Sequence, residues 1–260
     1  MIQIKEINDI RIDLYKSLRF TPVSHTKNNI FIAEGKKVTL KLLKSNIDVF
    51  SVFAVSEFYE EYSDLISNKD VSEDNLFFAE KKIMEQIVGF KLHSGVMAIG
   101  KQPDNVLLEE LGAKIVILNA VRDAENVGSI VRNASAFNVN SLIFDEKSSS
   151  PYLRRAVRVS VGNVFNLKIN QTENLENTIF DLKKLGYQIV CAEICKGAID
   201  IAKINFKEKV AIIFGNEGDG VEEKYLNMCD SICFIPISEK VDSLNVASSS
   251  AVFLYNLSKV

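Results

Sequence analysis

Three short stretches carry residues whose types and spacing could do chemistry, and all fall in the C-terminal half of this 260-residue chain. The first, DAENVGSIVRNA, follows the apolar run KIVILN and sets Asn126 six residues ahead of Arg132. The second, VAIIFGNEGDGV, gathers Gly215, Gly218 and Gly220 around Asn216, Glu217 and Asp219. The third, ICFIPISEKVDSLNVASSS, ends a strand-like run at Pro236 and opens a helix near Ser243 and Asn245. Two sharp turns after two strand-like runs present backbone amides and carbonyls at strand ends, where open α/β sheets bind their ligands. The glycine turn lacks the lysine and following Ser/Thr of a P-loop and departs from the dinucleotide order of glycines. Its two acids would repel a pyrophosphate, so a neutral or cationic, nucleoside-like ligand fits it better. Each piece alone also has a plain structural explanation: a tight turn, helix capping by Ser243 and Asn245, and an exposed helical arginine at position 132.

The elements needed to position these residues can be read from periodicity. Strand-like runs KIVILN, SLIFD, VFNLKI, YQIVCAE, KVAIIF and SICFIP alternate with helical segments at 127–137, 153–159, 175–185, 222–229 and 244–257. Alternation of this kind predicts an α/β fold with a mostly parallel sheet and helices on both faces. Asn126 is placed to cap the first of these helices, and Asp242 or Ser243 the last. Residues 1–100 read as a separate small α/β unit. In it a helix is expected over 8–20, a loop over 21–29, strands from Ile30, over 48–55, over 76–78 and over 93–99, helices from Lys36 and in AEKKIMEQIVG, and a polar stretch over 57–75. Residues 101–112, with Pro103, read as a linker to a second domain over 113–260.

Composition narrows the function classes. Hydrophobic residues make up 47% and charged residues 25%, which argues for a folded globular protein. No apolar run reaches membrane-spanning length, and the charges in MIQIKEINDIRIDLYKSLRF fall where a signal peptide needs an apolar core; a cytoplasmic protein with no membrane partner is expected. Cys191, Cys195, Cys229 and Cys233 are read as buried reduced thiols rather than a zinc site, because Cys191 and Cys233 lie inside apolar runs. His25 and His93 are too few for a histidine-rich metal site and are expected in loops or at the surface, so no metal is expected. A net charge of −3 does not advertise a nucleic-acid binder. Arg154, Arg155 and Arg158 nevertheless cluster with no acid between them, a group suited to phosphate.

Taken together and in this order, DAENVGSIVRNA, IIFGNEGDGV and IPISEKVDSLNVASS resemble the three motifs of the SpoU (TrmH-like) RNA 2′-O-ribose methyltransferases of the SPOUT superfamily. The resemblance is close over 114–260 and includes SPYLRRAVRVSVGNVF. FIAEGKKVTLKLLKSN and HSGVMAIG are more loosely similar to the N-terminal substrate-binding domain of that family, a small fold related to RNA-binding ribosomal proteins. The resemblance implies a deep trefoil knot at the C-terminus, a homodimer, and S-adenosylmethionine as cofactor. It implies that Gly215, the adjoining Asn216, Ile235 and Leu244 contact that cofactor, largely through backbone. It also assigns Asn126, Arg132, Glu217, Ser243 and Asn245 to the polar active-site positions. Three departures stand out: Ile237 where methionine is common, Glu239 where glycine is, and Asn133 where threonine is frequent.

The implied reaction is an in-line displacement that needs donor and nucleophile aligned and a proton removed. Arg132 is a poor base, since a guanidinium stays protonated, and is better suited to orienting a phosphate or stabilising an alkoxide; its role stays open between these. Ribosomal RNA ranks ahead of transfer RNA, because the added N-terminal domain resembles the rRNA-acting branch. The alternative is a non-catalytic RNA-binding or ribosome-assembly protein of the same fold, which the acidic charge balance favours. A nucleotide-dependent oxidoreductase is disfavoured by the glycine order.

Overall fold

In a computed structural model, which describes residues 1–16, 18, 22–92 and 94–259, the chain divides into two compact units. One comprises Met1–Pro103 with Tyr152–Phe165, the other Asp104–Pro151 with Asn166–Val260.

The first unit carries β1 (Ile2–Gln3), α1 (Val23–Lys27), β2 (Ile30–Glu34), α2 (Lys36–Lys44), β3 (Val49–Ala54), α3 (Ser56–Ser67), β4 (Leu76–Phe78), α4 (Lys81–Val88) and β5 (Val96–Lys101). Its sheet has the order β1-β4-β3-β5-β2, parallel through β1, β4 and β3 and antiparallel at β5. The core gathers Ile12, Phe53, Met84 and Met97, all fully buried. Several local expectations are corrected here. The helix foreseen over 8–20 is a 3₁₀ helix at Ile10–Tyr15, with Asp9 accepting from the Arg11 amide at 3.0 Å; Ser17, Arg19 and Phe20 lie outside the described residues. His93 does too. The polar stretch over 57–75 takes in nearly all of α3, whose Phe58, Tyr59 and Ile66 are buried although seven of its other nine residues are Ser, Glu or Asp. His25 sits in α1 and is buried, with Nε2 at 2.8 Å from the Leu14 carbonyl, and burial lowers its pKa.

The second unit opens with β6 (Lys114–Leu118), α5 (Ala124–Ala136) and β7 (Ser141–Asp145). The chain then contributes α6 (Arg154–Val159) to the first unit, a swap that the division at 113 did not foresee. Its cause is aromatic packing: Phe31 lies 5.3 Å from Tyr152 and 5.4 Å from Phe165, ring centre to ring centre. Val164 and Phe165, expected at the start of a strand, are buried in a 3₁₀ turn, and the strand begins only at Lys168. Residues 104–112, read as linker, instead pack onto this unit; the Val106 amide donates to Ile169 at 3.0 Å.

There follow β8 (Lys168–Thr172), α7 (Leu175–Lys184), β9 (Gln188–Ala192), β10 (Ile199–Asp200), β11 (Val210–Phe214), α8 (Glu223–Leu226), β12 (Ser231–Phe234) and α9 (Val246–Leu257). All seven strands are parallel, in the order β10-β12-β9-β11-β6-β7-β8. Central strands of a parallel sheet are covered on both faces and therefore read as unbroken apolar runs. VAIIF of β11 is such a run, with every residue buried. Among the described residues no helix is long and apolar enough to cross a membrane.

Candidate active site

Register sets the site. Phe214 at the end of β11 pairs with Ala192 at the end of β9, and Ala192 pairs with Cys233 near the end of β12. Three adjacent parallel strands thus finish side by side. The residues that follow them, Glu193, Gly215 and Ile235, all line one cavity of about 280 Å3. Its far side is closed by the approach to α9 and by α9 itself, through Ser243, Leu244, Val246 and Phe253.

The glycine turn is held by its own backbone. Asn216 and Gly220 exchange two N–H···O bonds of 3.0 Å each. The Asn216 side chain fixes the turn further: Oδ1 accepts from the Gly218 and Asp219 amides at 2.8 and 3.1 Å, and Nδ2 donates to the Ala120 carbonyl at 2.9 Å. Asn216 therefore organises the cavity wall as well as lining it. A Cβ on Gly215 would stand 2.4 Å from the Gly220 carbonyl carbon and 2.5 Å from the Val221 nitrogen, so only glycine lets the two arms of the turn lie this close.

Asn126, Glu217 and Asn245, far apart in sequence, meet beside this cavity. The Asn245 side chain caps α9, Oδ1 accepting from Ala247 at 2.8 Å. Its Nδ2 donates to Asn126 Oδ1 at 3.0 Å, and Asn126 Nδ2 donates to a Glu217 carboxylate oxygen. The donors run in one direction, from the helix amides to the carboxylate, so each amide's orientation is fixed by its neighbours. Capping differs from the sequence expectation: Asp123 caps α5, leaving Asn126 in the first turn free for Glu217, and Asn245 rather than Asp242 or Ser243 caps α9. Leu244 accordingly precedes the helix, 38% exposed at the cavity edge. Asn133 joins α5 to α9, its Nδ2 donating to the Ala247 carbonyl at 2.8 Å and to Ser250 Oγ at 2.9 Å.

Of the predicted residues, Gly215, Asn216, Glu217, Ile235, Ser243 and Leu244 line the cavity. Arg132 does not; it is exposed two turns along α5 from Asn126 and has no ion pair among the described residues. The three clustered arginines belong to the first unit and divide. Arg155 and Arg158 are exposed, whereas Arg154, 16% exposed, pairs with Glu34, 11% exposed, and lies 4.7 Å over the Phe90 ring. The cysteines divide as well. Cys191 and Cys233 are buried, but Cys229 is partly exposed and Cys195, beyond the end of β9, is exposed; all four are free thiols. Cys233 lines the cavity, and burial pushes its thiol up to about 11, which keeps it neutral.

Two features behind and within the site escaped the sequence. Buried Asp145 takes the amides of Ala120, at φ +55°, and Ser148, while Asn119 Nδ2 donates to it at 2.9 Å. Asn119 Oδ1 in turn accepts from the Glu222 amide at 3.1 Å, tying β6 and β7 to the far end of the glycine turn. Lys147, 2.7 Å from Glu222, holds that carboxyl below the usual range. The second is Glu193, whose only sequence signal is an acid directly ending the apolar run YQIVCA.

A parallel α/β sheet with a glycine-walled cavity at its carboxyl edge defines a class of nucleoside-type ligand sites rather than one activity. Residues 113–255 match the profile of the SpoU rRNA Methylase family, and the chain belongs to it. An uncharacterized tRNA/rRNA methyltransferase of Mycobacterium tuberculosis is 30% identical, over 95% of this chain and 88% of its own. The 23S rRNA (guanosine(2553)-2′-O)-methyltransferase RlmP of Bacillus subtilis is 24% identical, over 99% of both. In fold, the crystal structure of an AdoMet-bound rRNA methyltransferase from Sinorhizobium meliloti superimposes with a TM-score of 0.87 at 22% identity, over 99% of this chain and 97% of that one.

Proposed function

We propose that the protein is an S-adenosylmethionine-dependent methyltransferase acting on a ribose 2′-hydroxyl of structured RNA, ribosomal RNA ahead of transfer RNA. The observation that carries this reading is the cavity itself. It is walled by a glycine turn too tight for any side chain at Gly215, lined by apolar Ile235, Leu244 and Phe253, and has no lysine, arginine or histidine among the described residues of its lining. That lining fits a nucleoside carrying a positive sulfonium. Gly215, Asn216, Ile235 and Leu244 would hold it, and when bound it supplies an electrophilic methyl group. The family and the 2′-O-methylating Bacillus relative support the same reaction.

The protein's own residues account for the rest. The chain of donors from Asn245 through Asn126 leaves one Glu217 oxygen to accept from a hydroxyl at the cavity mouth. Arg132, exposed and free of an internal partner among the described residues, is available to an RNA phosphate or to the alkoxide. In the first unit Arg155 and Arg158 can meet phosphates, and that unit is assigned RNA affinity; Arg154 is occupied by Glu34. The reading includes a cytoplasmic homodimer and a C-terminal trefoil knot. A strand order that inserts β12 between β10 and β9, after β11 has formed on the other side of β9, supports the knot.

Calorimetric titration of the protein with S-adenosylmethionine tests the cofactor assignment. Saturable binding that is lost in Leu244→Trp is the expected result, because the indole occupies the cavity; an absence of binding, or binding unaffected by the indole, overturns it.

A further inference from the structure

Glu193 emerges from β9 with its amide bonded to the Cys233 carbonyl at 3.0 Å, so the backbone is still held in the sheet where the side chain enters the cavity. Its carboxylate meets the glycine turn at Gly220 and Val221. One oxygen accepts from the Val221 amide at 2.9 Å and the other from its neighbour Ile194 at 3.0 Å. A Cβ on Gly220 would stand 2.3 Å from that first oxygen, and Gly220 is at φ +70°. A Cβ at Gly215 would meet the Gly220 and Val221 backbone and one at Gly220 would meet the carboxylate, so neither position has room for a side chain. The amides of Asn216, Gly218, Asp219 and Gly220 bond within the turn, whereas the Val221 amide bonds outward, to Glu193. An ionised carboxylate has about four acceptor sites, and two remain for a donor in the cavity. Among the described residues, Glu193, Glu217 and Asp242 are the charged members of the lining, all acidic.

We propose that Glu193 is a positioning and specificity-determining residue. It holds the 215–221 turn as one wall of the cavity, and its charge makes the site prefer the cationic sulfonium donor to the thioether product, which carries one positive charge less. The proposal rests on the cofactor reading above and adds a consequence: loss of the methyl group weakens the ligand's hold and favours exchange of product for fresh donor.

The test is calorimetric titration of the full-length chain with S-adenosylmethionine and, separately, S-adenosylhomocysteine, for wild type, E193Q, E193D and E193A. Glutamine keeps an acceptor for the Val221 amide and removes the charge. E193Q is expected to weaken the sulfonium ligand on the order of tenfold, the size of one charge–charge interaction at a partly exposed site, while the thioether changes by no more than about twofold. E193D keeps the charge and therefore the wild-type preference even where both affinities fall, and E193A weakens both ligands. A loss in E193Q shared equally by the two ligands, or no change in either, overturns the assignment of specificity. Wild-type protein that binds neither ligand would instead refute the cofactor reading, and it is told apart by needing no substitution.

Discussion

Replacing Gly215 by alanine tests how the cavity wall is built. The added methyl carbon would lie 2.4 to 2.6 Å from the Gly220 carbonyl carbon, the Val221 nitrogen and the Gly220 oxygen. These are backbone atoms of a turn closed on itself, so no side chain can swing aside. Restoring ordinary contact at about 3.5 Å requires the arms to part by roughly 1 Å. The paired Asn216–Gly220 bonds, now 3.0 Å, would then stretch to about 4 Å and cease to be hydrogen bonds. Two lost bonds at about 1 kcal/mol each set a cost of about 2 kcal/mol, within the usual range for overpacking. In a unit of this size that corresponds to a fall in Tm of roughly 4–8 °C. Differential scanning calorimetry measures the fall, and titration with S-adenosylmethionine should show affinity reduced by at least about tenfold, because the displaced arm is the cavity wall. Gly218→Ala is the control, since its Cβ would meet nothing nearer than Asn216 Oδ1 at 3.4 Å. Wild-type melting and binding in Gly215→Ala, or equal damage in Gly218→Ala, would show that the turn does not depend on glycine at position 215.

Arg132→Ala should leave S-adenosylmethionine binding within about twofold and abolish methyl transfer, since Arg132 is outside the cavity lining; unchanged turnover in a radiolabel assay removes it from the mechanism. Charge reversal at Arg155 and Arg158 should weaken RNA binding in a filter assay and lower the salt slope by about 1 to 2, with the Tm unchanged. Arg154→Ala should instead destabilise the first unit by about 2–4 kcal/mol in urea unfolding, because it leaves Glu34 mostly buried and unpaired. His25 titrates lower in the folded chain than in the unfolded one, so the unfolded chain takes up protons first as pH falls. Its contribution is complete above the unfolded pKa and is lost as pH falls from there through the folded value. His25→Asn should flatten that part of a Tm-against-pH curve, and an unaltered curve would contradict it.

Legibility in the sequence followed the range of the interactions. Strands β6, β7, β9 and β11 are readable because burial on both faces turns each into a short apolar run, and the glycine turn is readable because Gly215, Gly218 and Gly220 interrupt one. The family motifs located the cavity residues that local pattern could not link. Contacts between distant positions left no such trace. Nothing near Arg154 in sequence announces Glu34, 120 residues earlier, and a cluster of three arginines reads as one surface although one member is an internal ion-pair partner. The packing of Tyr152 and Phe165 on Phe31 is equally silent, so α6 was given to the wrong unit. Helix α3 was hidden because few of its residues are apolar. Glu193 looked like the polar end of a strand, and only the register of β9 with β11 turns it toward the glycine turn.

The central claim is methyl transfer to a ribose. Protein incubated with isotopically labelled S-adenosylmethionine and unmodified ribosomal RNA, followed by nucleoside digestion and mass spectrometry, tests it most directly. Label is expected in a single 2′-O-methylnucleoside, and none in the Arg132→Ala reaction. Label on a base, or none from protein that binds the cofactor and is supplied with intact ribosomal and transfer RNA, would contradict it.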